Sequence, residues 1–249
     1  MAEIQYWIWL SRIEKLGSIK TQKLLEIYGV PKNIWNATKE ELLKIEGIGE
    51  ETTKQILKEE YRKGLEKYEI YMKQNNIELI HIYDKYYPEK LKTIYDKPIV
   101  LYIKGNKSIL NEFSLAIIGC RDHTKYGEIV AKNISYQISK NNIVTISGLA
   151  RGIDSIAHKE TLKAKGKTIA VIGSGVDNIY PEENKELAKE IIKNWGTIIS
   201  EYVIGTKPQK MNFPARNRII SGMSNGVVVI EAKKKSGTMI TVDFALEQG

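Results

Sequence analysis

The chain has 249 residues, 42% of them hydrophobic and 27% charged, enough for one full core and a small second domain. Thirty-eight Lys and Arg against thirty Asp and Glu leave a net charge of +8, which favours a polyanion or an acidic surface as partner. A single cysteine (Cys120) excludes an intrachain disulfide, three histidines argue against a His-ligated metal, and no apolar run reaches the length of a membrane span, so a cytoplasmic, metal-free protein with no membrane partner is expected.

From Ile4 to about Lys73, apolar residues recur at helical spacing, as in Leu24, Leu25 and Tyr28 or Leu42, Leu43 and Ile45. Gly17, "YGVPK" and "EGIGEE" break the pattern, so residues 1–73 read as a small all-helical domain. Within it, "LLKIEGIGEETTKQILK" is helix, turn, helix: Gly47 and Gly49 bare backbone amides around Ile48, as in a helix-hairpin-helix that grips a phosphate. Glu46, Glu50 and Glu51 crowd that turn, so a SAM-like packing or protein-binding unit is the equal alternative.

From Ile77 to about Asn106 the pattern is strand, irregular link, strand, with Pro88 and Pro98 as breakers. From Phe113 onward strand and helix alternate: "SLAIIG", "IVTISG", "TIAVIG", "TIIS" and "VVVIEA", each followed by an amphipathic stretch. Such Val/Ile runs between helices predict an α/β domain over residues 74–249, an extended Rossmann-like, doubly wound and mostly parallel sheet. The sequence stops at Gly249 on a helix, where this fold would continue into a strand, so the chain is expected to be the front of a longer one.

Ligands of such sheets bind beyond the carboxyl ends of the strands. The first of those loops, "GCRDHTKYG", would project Arg121 over the sheet edge, and the second, "SGLARGIDSIAH", offers Gly148 and Gly152 with Asp154 as a helix cap. The third, "GSGVDNIYPEEN", is again glycine-rich, and the last places Ser236, Gly237 and Thr238 at a helix N-terminus, where free amides attract anions. "GSGVDN" lacks the third glycine of the dinucleotide fingerprint and no phosphate-binding G-x-x-x-x-G-K-[ST] occurs, so NAD and ATP are not expected and no cofactor is assigned.

Between Gly205 and Lys235 stand seven basic residues, Lys207, Lys210, Arg216, Arg218, Lys233, Lys234 and Lys235, against Glu231 alone. Lys210 and Phe213, three apart, can present a charge beside a stacking face, with Arg216, Asn217 and Arg218 opening the next helix, an arrangement suited to single-strand recognition. Catalytic pairings are poor by comparison: Asp154 with His158, Asp177 with Glu201 and Cys120 with Arg121 each have an ordinary structural reading.

Taken in order, "AIIGCR", "SGLARGIDSIAH", "TIAVIGSGVDNIYPEENKEL", "FPARNRIISGMSNGVVVIEAKKKSGT" and "ALEQG" resemble the bacterial DNA-processing protein A (DprA, or Smf) family along most of the chain. The resemblance implies a non-catalytic single-stranded DNA-binding protein that helps load the RecA recombinase in natural transformation and forms a homodimer at full length. By position it implies a DNA pocket of Arg121, Lys210 and Phe213, supported by Arg216, Asn217 and Arg218, with Gly148, Gly152, Ser236, Gly237 and Thr238 bounding it and contacting phosphates. Gly47, Ile48 and Gly49 would be a secondary DNA contact. The alternative is a nucleotide-binding enzyme of the nucleoside-monophosphate glycosidase type, against which "KKKSGTMITVD" replaces the glycines of that enzyme's turn.

Overall fold

The computed structural model describes residues 1–234 and 236–249; Lys235, one of the seven basic residues counted above, lies outside the described residues. Seven helices come first: α1 (Glu3–Arg12), α2 (Gly17–Tyr28), α3 (Pro31–Asn36), α4 (Lys39–Leu43), α5 (Glu50–Ile56), α6 (Glu59–Arg62) and α7 (Leu65–Gln74). Their ends follow local chemistry. Gly29, at φ 76°, closes α2, Pro31 opens α3, and Thr38 with Glu41 forms a capping box on α4. Ile48 is buried between Gly47 and Gly49, whereas Glu46, Glu50 and Glu51 are exposed around that turn and disfavour a phosphate there.

The sheet contains β1 (Glu78–His81), β2 (Val100–Gly105), β3 (Ser114–Ile118), β4 (Val144–Ser147), β5 (Thr168–Val171), β6 (Thr197–Ser200) and β7 (Val227–Val229), in the order β1-β2-β6-β5-β4-β3-β7. β3 to β7 are mutually parallel; β2 joins β6 antiparallel, and β1 joins β2 antiparallel at the sheet's edge. β4, β5 and β6 are buried along their whole length, as Val/Ile runs covered on both faces must be.

Helices α8 (Lys125–Lys140), α9 (Ile153–Lys163) and α10 (Lys185–Lys193) link consecutive strands from β3 to β6. Helix α11 (Asn212–Met223) then returns over the other face to β7, and α12 (Gly237–Gln248) packs on α11. Ile117, Ala131, Ile153 and Ala157 fill the space under α8 and α9, while Ile118, Ile146, Val171, Ile219 and Met223 fill the space under α11. Strand order thus advances from β3 to β6 and then jumps back beyond β3 to β7, so the loops after β3 and β7 diverge and leave a cleft.

Candidate nucleic-acid interface

The cleft at that switch point encloses about 580 Å³ and gathers Arg121, Lys210, Phe213, Arg216, Asn217, Ser236, Gly237 and Thr238. Eight positions spread over more than a hundred residues of sequence therefore meet in one place. Gly148 lines a smaller niche that shares Arg121, Phe213 and Arg216 with the cleft. Gly152 stands behind it at φ 75°, where an added Cβ would collide with the carbonyl oxygens of Cys120 and Arg121; only glycine lets the two loops pass this close.

Glu231, the single acid of the basic window, accepts from the amide and hydroxyl of Thr124, both at 3.0 Å. Thr124 in turn caps α8 through the Gly127 amide. Glu231 therefore anchors the loop that carries Arg121, while Arg121, Lys210 and Lys233 remain exposed around the rim.

The basic residues of α11 divide sharply by environment. Arg216 is buried: its guanidinium donates to the carbonyls of Gly148 (2.8 Å) and Val171 and, through Nε, to Asn217 Oδ1 (3.2 Å). Burial pushes Arg216 down to about 10, partly offset by Asp154, so the group stays charged at neutral pH. It forms the positive floor of the cleft rather than a reaching arm.

Arg218 is a correction to the expected pocket. Its guanidinium is held bidentately by Glu201 at 2.6 and 2.7 Å and also meets Asp96 at 2.8 Å, so its charge is spent inside the fold. Those carboxylates hold its ionisation above the ordinary arginine value despite burial. It does not line the cleft.

Gly148 is a second correction in its role. Its amide donates to Asp154 Oδ2 (3.2 Å), as does that of Ala150 (3.3 Å), so Gly148 supplies wall and not a free phosphate donor. Asp154 is not the cap of α9, a position held by Gly152; it sits in the first turn and ties down the preceding loop. Burial raises the pKa of Asp154, with Arg216 and the two amides pulling the other way.

The remaining pairings resolve structurally. His158 is fully buried against Thr168, Cys120 is buried, and Asp177 accepts from the Gly205 amide, holding a loop. Asp177 and Glu201 thus serve different loops.

One residue that the sequence pattern left unremarked, Tyr180, enters the site, and Asp154 enters it in a role other than the expected cap. Tyr180 lines both cleft and niche, with its ring centroid 5.6 Å from that of Phe213 and 44% of its surface exposed, so the two rings form one aromatic shelf. Its signal was present as an aromatic directly after a glycine-rich loop. Asp154 fixes the loop beneath the shelf. α12 begins at Gly237, its first turn lines the cleft, and Asn217 Nδ2 donates to the Gly237 carbonyl (3.1 Å), locking that turn to α11.

The chain is similar to known proteins in both sequence and fold. The family model for DNA recombination-mediator protein A matches residues 78–249. DNA processing protein DprA of Bacillus subtilis is 46% identical over 178 residues, 71% of this chain and 60% of that protein. Protein Smf of Escherichia coli is 39% identical over 188 residues, 76% of this chain and 50% of that protein. The chain thus spans between a half and two thirds of the length of these curated relatives. Among solved structures, DprA from Streptococcus pneumoniae superposes with a TM-score of 0.81 at 34% identity, covering 98% of this chain and 84% of that one. DNA processing protein A from Helicobacter pylori, solved for its single-stranded DNA binding mode, gives 0.63 at 31% identity, covering 69% and 77%. On the family match over residues 78–249, the identity to these relatives and the superposition, the chain belongs to the DNA recombination-mediator protein A family.

Proposed function

We propose that the switch-point cleft binds single-stranded DNA without strict sequence preference and that the protein acts as a non-catalytic recombination mediator. The observation that carries this reading is the exposed cationic rim of Arg121, Lys210 and Lys233 around the Phe213–Tyr180 shelf. Lysine and arginine neutralise phosphates, an aromatic face accepts any base, and the opening turn of α12 adds free amides. The single-stranded DNA described for the Helicobacter relative supports the ligand class. RecA loading and assembly of the full-length protein into a homodimer are parts of the same proposal. The nucleotide-cleaving alternative gains no support from Asp154, whose carboxylate is taken up by two backbone amides beneath the cleft.

The test is anisotropy of labelled oligo-dT and of a matched duplex across a salt series. The single strand should bind more tightly, and Lys210→Ala or Arg121→Ala should each weaken it and reduce the salt slope by about 0.7, the value for one lost single-strand phosphate contact. Unchanged affinity in both variants would remove the cleft from the reading. Release of free base from a nucleotide would replace it with the enzymatic alternative.

A further inference from the structure

The opposite end of the sheet, where the parallel strands begin, carries a second set of exposed aromatics and cations. Trp195, in the turn between α10 and β6, is 73% exposed, yet its backbone holds φ 64°, a region that suits glycine or asparagine. Its ring adds nothing to the core, so packing does not account for a tryptophan there. The turn is firmly placed: Asn106 donates its amide to the Gly196 carbonyl at 3.1 Å, and Gly196 has no room for a side chain beside Ile191 and Thr168.

Register sets its neighbours. Gly105 lies opposite Thr197, with half-buried Lys104 opposite Ile198 one step into the strand, and Ile169 lies opposite Thr197 on the other flank, which brings the residues ahead of β5 beside the turn, including exposed Lys165. Exposed Lys193 precedes the turn by two residues, and Phe113, 58% exposed, stands at the start of β3. Three strand spacings of about 4.8 Å separate β6 from β3, so the backbone starts of these two strands, which carry Trp195 and Phe113 just ahead of them, lie about 14 Å apart. Lys167 is neutralised by Glu112 and Lys163 by Glu160, whereas Lys104, Lys165 and Lys193 have no carboxylate within 4.0 Å among the described residues.

We propose that this edge of the sheet is a second contact surface for single-stranded nucleic acid, with Trp195 and Phe113 receiving bases and the unpaired lysines meeting the phosphates between them. The ligand class rests on the reading of the cleft, but none of the residues is shared. An acidic peptide would satisfy the lysines and leave two flat, solvent-facing rings unexplained; a strand of a few nucleotides uses both. A chain long enough to pass from one end of the strands to the other would occupy cleft and edge together.

Intrinsic fluorescence tests this directly, because Trp7 and Trp9 are buried and Trp195 is the most exposed of the four tryptophans. Oligo-dT should quench emission in a salt-sensitive manner in the wild type, and at saturation to the same extent in Lys210→Ala, whose lesion lies at the other end of the sheet. Lys165→Glu combined with Lys193→Glu should weaken the quenching midpoint by roughly tenfold while short-oligonucleotide anisotropy stays unchanged. Trp195→Gly should raise or preserve the melting temperature and weaken binding of long but not short oligonucleotides. Absence of salt-sensitive quenching, or quenching indifferent to the double reversal, overturns the proposal. Failure of the cleft reading would show separately, as anisotropy unaffected by Lys210→Ala.

Discussion

Arg216 and Arg218 stand two residues apart on α11, and i, i+2 neighbours on a helix point to different sides. One becomes the floor of the cleft and the other an internal ion pair, although the sequence presents them as a single basic cluster. The difference is measurable. Arg218→Ala strands Glu201 beside a largely buried site and should destabilise the fold by about 3 kcal/mol in urea unfolding, yet leave DNA affinity of the folded fraction intact. Phe213→Ala should cost about 1 to 3 kcal/mol of single-strand binding with little loss of stability, and Tyr180→Ala should repeat that effect if both rings receive bases. His158 supplies a pH signature. Thr168 gives its hydroxyl proton to the Thr145 carbonyl, so His158 Nδ1 is the donor to Thr168. Burial pushes its pKa down to about 3, below the unfolded value near 6.5. The unfolded chain therefore binds the extra proton between those values, and stability falls as pH falls from about 6.5, at up to about 1.4 kcal/mol per pH unit. Urea midpoints at pH 7 and pH 5 should converge in His158→Leu relative to the wild type; an equal drop in both proteins would assign the proton elsewhere.

At the scale of elements, the site is made by loops whose shapes are set by what lies under them. Asp154 gathers the amides of Gly148 and Ala150, Glu231 gathers Thr124, and Gly152 lets the loops after β3 and β4 cross. Strands and helices were legible because continuous Val/Ile runs and amphipathic periods are strong local signals, and each predicted strand from "SLAIIG" to "VVVIEA" appears within its run. The side-chain bonds within loops were not legible, because a carboxylate's partner depends on which strands become neighbours, and sequence spacing does not encode the order β6-β5-β4-β3-β7. Gly152→Ala tests the loop crossing. Its Cβ would meet backbone rather than a movable side chain, so the variant should lose several degrees of melting temperature and weaken DNA binding together, through displacement of Arg121. Full affinity in a destabilised variant would show that Arg121 does not depend on this crossing.

Across the whole molecule, the sequence pattern separates residues 1–73 from the rest, yet packing joins them. One continuous apolar cluster runs from Trp9, Leu24 and Ile56 of the helices through Trp7 to Tyr102 and Ile198 of the sheet and Ile191 of α10. Ser11 Oγ and the buried Tyr102 hydroxyl lie 2.7 Å apart across that boundary, and Trp7 stacks on His81 with centroids 4.3 Å apart. Helical periodicity announces the helices but not the face they bury, which is why the helical unit read as separate. A unit that shares its core with a sheet loses much of its burial when the sheet unfolds, and the exposed apolar surface of either half alone would be large. Scanning calorimetry should therefore record a single transition whose van't Hoff and calorimetric enthalpies agree, and Tyr102→Ala, at the junction, should lower that one midpoint without splitting it. Two resolved transitions would mean that the helices and the sheet fold independently, and that the shared cluster contributes little to either.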